Sequence, residues 1–291
     1  MKKIEDRLSS FKQWLEPIIS KKINLLPEND DAQKRMKSAI KYSLLGNAKR
    51  VRAFIIEQSC LHYGIPKEDI VNLMVAVEYI HCYSLIHDDL PCMDNSDERR
   101  GKPSLHKNFD EATALLTGNS LVTLALDEIF SDDFSFENYV KVHLVKNLSK
   151  AIGFYGMMAG QMLDLLVVNS QTAKTEEFIH MNKLKTGELF AFCMSSGAII
   201  TQSIQNIAEM QQIGYDIGYI FQLVDDILDV QDDIQLGLDA KKTFIEHIGG
   251  TDEAQRHLFM IAEQAKVRVR KACNNVYLVD LIDYITNQLK A

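Results

Sequence analysis

Between Ile70 and Ile80 the chain places apolar side chains at repeated three- and four-residue steps, and they wrap nearly the whole circumference of a helix. A helix that is apolar on most sides belongs at the centre of a helical body rather than on its surface. The rest of the chain agrees. Alternating strand-like patterns are hard to find, and 14 Gly with 5 Pro is sparse punctuation for 291 residues. Turn signals stand at Gly64-Ile65-Pro66, Gly101-Lys102-Pro103, Ser131-Asp132-Asp133 and Gly249-Gly250. Thr175-Glu176-Glu177 and Thr251-Asp252-Glu253 read as helix starts, with a capping hydroxyl and acids in the first turn. The expectation is an all-α, single-domain bundle of about ten or more helices spanning 1–291, with essentially no sheet. No composition shift marks a linker, and no repeat array is visible.

Two acidic clusters lie far apart on apolar, helix-like stretches. The first is His87-Asp88-Asp89-Leu90-Pro91-Cys92-Met93-Asp94, followed by Arg99-Arg100-Gly101; the second runs from Phe221 to Asp229 and carries Asp225, Asp226 and Asp229. Carboxylates beside Leu, Ile and Val cost several kcal/mol each unless their charge is cancelled. Neither cluster contains a Lys, so a hard divalent cation is the natural counter-charge. Magnesium suits, because it takes a few carboxylates and completes its octahedron with water and substrate phosphates. On a helix, Asp225 and Asp229 share a face while Asp226 points about 100° away. Asp88 and Asp94 are six apart and would not meet on an unbroken helix, but Pro91 breaks it and lets Asp94 turn back. The two clusters are expected on opposite walls of one cavity.

Basic residues complete the pattern. Arg99 and Arg100 follow the first cluster, and Lys49-Arg50-Val51-Arg52 is expected to open a helix after Gly46-Asn47-Ala48; taken alone, that run reads as an exposed helix start. Guanidinium forks bind phosphate oxygens bidentately and Lys acts as a point charge, so a cation-rich site beside a metal–carboxylate site implies two anionic substrates.

Other classes are excluded. A net charge of −8 argues against a nucleic-acid surface. No run reaches the ~18 uninterrupted apolar residues of a bilayer span, so no stable membrane insertion is expected. Met1 to Arg7 carry charges with no apolar stretch behind them, unlike a secretory signal. Five scattered cysteines form no C-x-x-C pair, which suggests neither a disulfide frame nor a zinc site and makes a reducing cytoplasm the simplest location. Gly156 to Gly160 and Gly214 to Gly218 are expected to permit close helix contacts, His87 to be a hydrogen-bond partner, and Cys82 and Cys92 to be core or loop residues.

Taken together, these residues resemble the trans-polyprenyl diphosphate synthases, and most closely the bacterial farnesyl diphosphate synthases. The resemblance rests on Tyr42-Ser43-Leu44-Leu45-Gly46 leading into Lys49 to Arg52, on Glu78 through Pro91, and on Arg99-Arg100-Gly101. Later matches are Gly160-Gln161-Met162-Leu163-Asp164, Lys185-Thr186-Gly187 and Phe221 through Asp229. It implies a helical bundle around a deep cavity, used as a homodimer to join isopentenyl diphosphate to an allylic diphosphate. It also implies three magnesium ions held mainly by Asp88, Asp94 and Asp225, with Asp89 and Asp229 in support. Lys49, Arg52, His81 and Arg100 match the isopentenyl diphosphate site. Arg99, Lys185 and Lys241 match positions touching the allylic diphosphate, Thr186 and Gln222 match dipoles facing the developing cation, and Gln161 and Asp164 stand behind them. Bulk at Tyr83, just above Ser84, implies a C15 product rather than C20, and the longer Asp88–Asp94 spacing points the same way.

The chain departs from the family pattern before Lys49, at Ala53, which stands where Pro is common, and after Asp229. Asn47-Ala48 replaces the usual glycines and adds a residue before Lys49. The stretch Gly237 to Phe244 lacks the usual loop, leaving Lys241, or Lys242 if the register differs by one, as its cation. A geranylgeranyl diphosphate synthase and a non-catalytic partner subunit are the alternatives. Retention of the carboxylates opposes the second, and Lys49, Arg52 and Arg100 oppose a terpene cyclase.

Overall fold

The computed structural model describes residues 2–168, 174–235 and 244–290. They are overwhelmingly helical, as expected: fourteen α-helical segments, two of them single turns of four residues, and one two-stranded ladder. The backbone divides into two compact units.

The first unit comprises Asp6–Glu57 and Pro66–Lys141. Its elements are most of α1 (Lys2–Leu25), α2 (Asp31–Leu44), the first part of α3 (Val51–His62), α4 (Val71–Asp88), β1 (Glu98–Arg99), β2 (Lys102–Pro103), α5 (Leu105–Asn108) and α6 (Glu111–Phe130). Helix α1 is amphipathic: Leu8, Phe11, Leu15, Ile19 and Ile23 fall at three- and four-residue steps and all are buried. Helix α4 is buried on every side, with a continuous run of buried residues from Asn72 to Ile80. Each large aliphatic side chain withdrawn there from water contributes roughly 1.5–3 kcal/mol. Glu128 near the end of α6 ties this core together, accepting from Lys22 at 2.6 Å and from the Asn72 amide at 3.0 Å.

The second unit comprises Met1–Glu5, Gln58–Ile65 and Val142–Ala291. It holds the greater part of α7 (Asn138–Ile152), then α8 (Met157–Val168), α9 (Thr175–Asn182), a π-helical turn (Lys183–Gly187), α10 (Glu188–Ile200) and α11 (Ile204–Gln235). Helices α12 (Phe244–His247), α13 (Thr251–Ala272) and α14 (Val276–Thr286) follow. Its central helix is α10, where every residue from Leu189 to Ile200 is buried. Close approach needs glycine. A Cβ on Gly214 would lie 2.5 Å from the Phe190 carbonyl oxygen and from the Ala191 Cα, and one on Gly218 would lie 3.0 Å from the Gly187 Cα. These contacts, and that of Gly160 with the π turn, are the helix approaches expected from the glycine spacing.

Local readings fared unevenly. Helices α9 and α13 start at Thr175 and Thr251 as expected, yet neither hydroxyl is the cap. The Glu177 carboxylate accepts from the Lys174 N–H at 2.8 Å, and Gly250 precedes α13 with φ 92. Lys49-Arg50 does not open a helix either: α3 begins at Val51. The segment at Gly101-Lys102-Pro103 is half of a hairpin, whose turn residues Arg100 and Gly101 both have positive φ, the pattern of a type I′ turn. Helix α4 with its preceding turn is also long and apolar enough to cross a membrane by composition alone, but 72% of that window is buried inside the protein.

Gly214→Ala should destabilise the fold by roughly 1–3 kcal/mol, although alanine favours helix, because backbone atoms block its Cβ and cannot rotate away. Urea unfolding measures this; unchanged stability would mean that α10 and α11 can separate freely.

Candidate active site

In the first unit the polar residues gather where α4 ends. The helix stops at Asp88, and after Pro91 the chain reverses so that the Asp94 N–H donates to the Asp88 carbonyl at 2.9 Å. Met93 and Asn95 N–H groups close on the Leu90 carbonyl at 2.9 and 3.1 Å. The turn expected from Pro91 is therefore present. Asp89 is buried, and its carboxylate accepts from Arg99 Nη2 at 2.5 Å and Nε at 3.0 Å.

Two turns deeper, His81 Nε2 lies 3.1 Å from Arg52 Nη1. A guanidinium only donates, so Nε2 accepts and the proton of the neutral ring sits on Nδ1. Burial, then Arg52, Arg100, Arg50 and Arg99, holds the imidazole well below its ordinary pKa. A site where four guanidinium groups oppose protonation of a histidine is electropositive and suits an anion.

Arg50 corrects the reading of its run as an exposed start. It is only 3% exposed, with φ 55, and donates to Glu16 at 2.9 Å, Glu78 at 2.8 Å and the Leu44 carbonyl at 2.6 Å. Glu78 also accepts from the Ala53 N–H at 3.3 Å. The anchored Arg50 thus sets the positions of Lys49, which is exposed, and Arg52, which is half-buried. Arg100 also has a left-handed backbone, with φ 57 at the hairpin tip. Bulky residues rarely adopt this conformation, which costs about 1–3 kcal/mol and clusters at functional sites. Lys102, which sequence reasoning passed over, donates to the Tyr42 carbonyl and lies 4.1 Å from that ring. Burial, then Arg100, lowers its pKa. Arg99, Arg100 and Lys102 share a pocket with Tyr42, Cys82 and Asp89.

Tyr83 is buried, with its ring edge-on to His87 at 4.8 Å. His87 hydrogen-bonds the Leu115 carbonyl at 3.2 Å and occupies the space that a Cβ on Gly118 would take. It is a hydrogen-bond partner, as expected. Cys82 is a core residue and Cys92 an exposed loop residue.

In the second unit the π turn presents Lys185 and Thr186. Lys185 Nζ meets Asp164 of α8 at 2.5 Å, and Gly160 lets the α8 backbone touch the turn. The Thr186 hydroxyl donates to Gln222 Oε1 at 2.9 Å, and Gln222 Nε2 donates to Asp226 at 2.8 Å. Gln161 has a buried side-chain nitrogen without a partner among the described residues. Asp225 and Asp229 lie on one face of α11, half-buried and exposed respectively. Asp226 is pushed up to about 7 by burial, despite the hydrogen bond from Gln222, and by its neighbours Asp229, Asp225 and Asp164. Its coupling to Thr186 through Gln222 escaped sequence reasoning, because it depends on contact between α11 and the turn. Lys241 and Lys242 lie outside the described residues.

All candidate metal donors are carboxylate oxygens, the hard ligands magnesium prefers. Among the described residues no group of three His, Cys, Asp or Glu side chains could hold an ion alone. A cation that retains water and binds substrate phosphates fits such a donor set.

Comparison with known proteins agrees with this chemistry. The polyprenyl synthetase family model matches residues 33–243. The chain is similar to a farnesyl diphosphate synthase of Micrococcus luteus, 42% identical over 210 residues, covering 72% of this chain and 71% of that one. It is 36% identical over 264 residues to a chloroplastic geranylgeranyl pyrophosphate synthase of Capsicum annuum, covering 86% and 71%. The crystal structure of an FPP/GFPP synthase from Zymomonas mobilis superposes with a TM-score of 0.87 at 32% identity, covering 97% of this chain and 99% of that one.

Arg50→Met should cost about 3–5 kcal/mol, because it strands Glu78 in the core without its partner. A loss below about 1 kcal/mol in chemical denaturation would show that Arg50 does not anchor the segment.

Proposed function

Because this chain belongs to the polyprenyl synthetase family, we propose that it joins isopentenyl diphosphate to dimethylallyl or geranyl diphosphate and releases farnesyl diphosphate, a C15 product. One observation carries the reading. The last two turns of α4 pair a neutral His81 among guanidinium groups with the folded-back Asp88–Asp94 turn. The first arrangement suits a bare diphosphate and the second a metal-bound one.

Lys49, Arg52, His81 and Arg100 hold isopentenyl diphosphate, while Arg99 and Lys185 hold the allylic diphosphate. Asp89 orients Arg99, and Asp164 orients Lys185, through the ion pairs they make. Lys241 belongs to the same set by family resemblance. Asp88, Asp94 and Asp225, with Asp89 and Asp229 in support, would hold the magnesium ions, three by that resemblance, whose charge offsets that of the departing diphosphate. As the allylic carbon–oxygen bond breaks, Thr186 keeps its oxygen lone pairs directed to the developing cation, because its proton is committed to Gln222. The isopentenyl double bond then forms the new carbon–carbon bond, and the released diphosphate takes the proton that restores the alkene.

Tyr83, buried against His87, closes the space below the reacting centre and ends growth at C15. A C20 product is the alternative, and this residue decides between them. We take residues 1–291 as one synthase domain that works as a cytoplasmic homodimer. Leu115, Leu116 and Phe130 leave an apolar face exposed along α6, which supports pairing of two copies.

Purified protein supplied with isopentenyl diphosphate and C5, C10 or C15 partners should make C15 product, and chelation of magnesium should stop it. Asp88→Ala or Asp225→Ala should abolish turnover with the helical circular dichroism intact. Turnover within about tenfold of wild type in either variant sinks the metal assignment.

Tyr83→Ala should shift the product to C20 or longer. An active variant that still stops at C15 would locate the floor elsewhere.

A further inference from the structure

The π-helical turn Lys183–Gly187 carries Lys185 and Thr186, and both of its ends meet a single side chain. Lys183 Nζ lies 4.6 Å from the centre of the Tyr215 ring. The Tyr215 hydroxyl donates to Glu188 Oε1 at 2.8 Å. Lys183 opens the turn and Glu188 is the first residue after it, so Tyr215 grips residues five apart.

That spacing is diagnostic of the backbone form. On an α-helix at 3.6 residues per turn, positions i and i+5 point about 140° apart and cannot share one partner on a neighbouring helix. In a π turn the hydrogen bond spans i to i+5, which brings those positions to one face. The bracket therefore favours the π-helical form of the turn. Neighbouring contacts favour the same form. The Tyr215 ring lies where a Cβ on Gly187 would approach it to 3.1 Å, and Gly218 admits the Gly187 Cα at close range. Burial raises both Tyr215 and Glu188, so the phenol keeps the proton that it donates.

A return to α-helix would rotate Thr186 away from Gln222 and Lys185 away from Asp164. We propose that Tyr215, bracketing Lys183 and Glu188, is a positioning residue that selects the π form and so sets Lys185 and Thr186 for allylic diphosphate turnover. The proposed catalytic roles of Lys185 and Thr186 are the one part of this that rests on the prenyl-transfer reading. In this role Tyr215 acts through the turn, by its contacts with Lys183 and Glu188.

The full-length protein tests this with Tyr215→Phe, Tyr215→Ala, Lys183→Met and Glu188→Gln. The readouts are amide hydrogen exchange across the turn, a crystal structure of Tyr215→Ala, and kcat and KM for geranyl diphosphate. Tyr215→Ala should convert the turn to α-helix and lower kcat by on the order of tenfold to a hundredfold, the scale for groups misplaced by about 1 Å. Tyr215→Phe keeps the ring, so it should exchange faster than wild type yet lose less activity. Lys183→Met and Glu188→Gln should each cost activity in wild type and nothing further in Tyr215→Ala, because they act through one partner. A Tyr215→Ala structure that retains the π turn, or a kcat within about twofold of wild type, overturns the proposal. Should Tyr215→Ala fail to fold, unchanged exchange in Tyr215→Phe overturns it instead. Wild type that transfers no prenyl group would sink the proposed function alone, since exchange and structure read the turn without substrate.

Discussion

Each unit of this protein is organised around a helix buried on all sides, which offers most of its polar groups toward its ends. Backbone groups along the middle of such a helix are mostly spent within it, and a polar side chain there needs a partner in the core, as Glu78 of α4 has in Arg50. Helix α4 delivers His81, Asp88 and Asp89 in its last turns. Helix α10 receives the π turn with Lys185 and Thr186 at its start. Carboxylates at the C-terminal end of α4 add to the negative end of its dipole, an arrangement that costs about 0.3–1 kcal/mol unless a cation compensates. The start of α10 is no free end, since α9, the π turn and α10 run on as one helix, and the polar groups there are the side chains of Lys185 and Thr186.

Charge inside the core is handled by pairing, and the pairs hold the working groups in place. Arg50 with Glu16 and Glu78 is worth little as net stability compared with a well-packed apolar trio, but breaking it is expensive. Its consequence is positional: Lys49 and Arg52 flank a residue that cannot move. Asp89 does the same for Arg99, and Asp164 for Lys185. The left-handed backbones at Arg50 and Arg100 add strain at the same places, and the side chain of Arg50 is held there by its ion pairs.

Much of this was legible in the chain. The central position of α4 followed from apolar residues around its circumference, and the Asp88–Asp94 reversal followed from Pro91, because a proline cannot continue the helix. Close helix approaches followed from the glycines at 160, 214 and 218. The caps of α9 and α13 were misread, since a threonine in the first turn and one at the cap look alike until the backbone is traced. Arg50 was misread for a related reason: a basic run has no helical or strand period to say which member turns inward, and Glu16 and Glu78 lie far from it in sequence.

The sequence by itself determined that this chain is helical, that α4 is central, and that two carboxylate clusters and a basic run stand along it. Periodicity, proline stereochemistry and residue chemistry are local properties, and a single strand of letters carries them. Tertiary structure alone decided which arginine is buried and which carboxylate is given to an arginine. It also decided that Gln222 joins Thr186 to Asp226 and that the backbone before α10 takes a π turn. Those outcomes depend on contacts between segments distant in the chain, where a few ångströms decide whether a charge meets a partner or water.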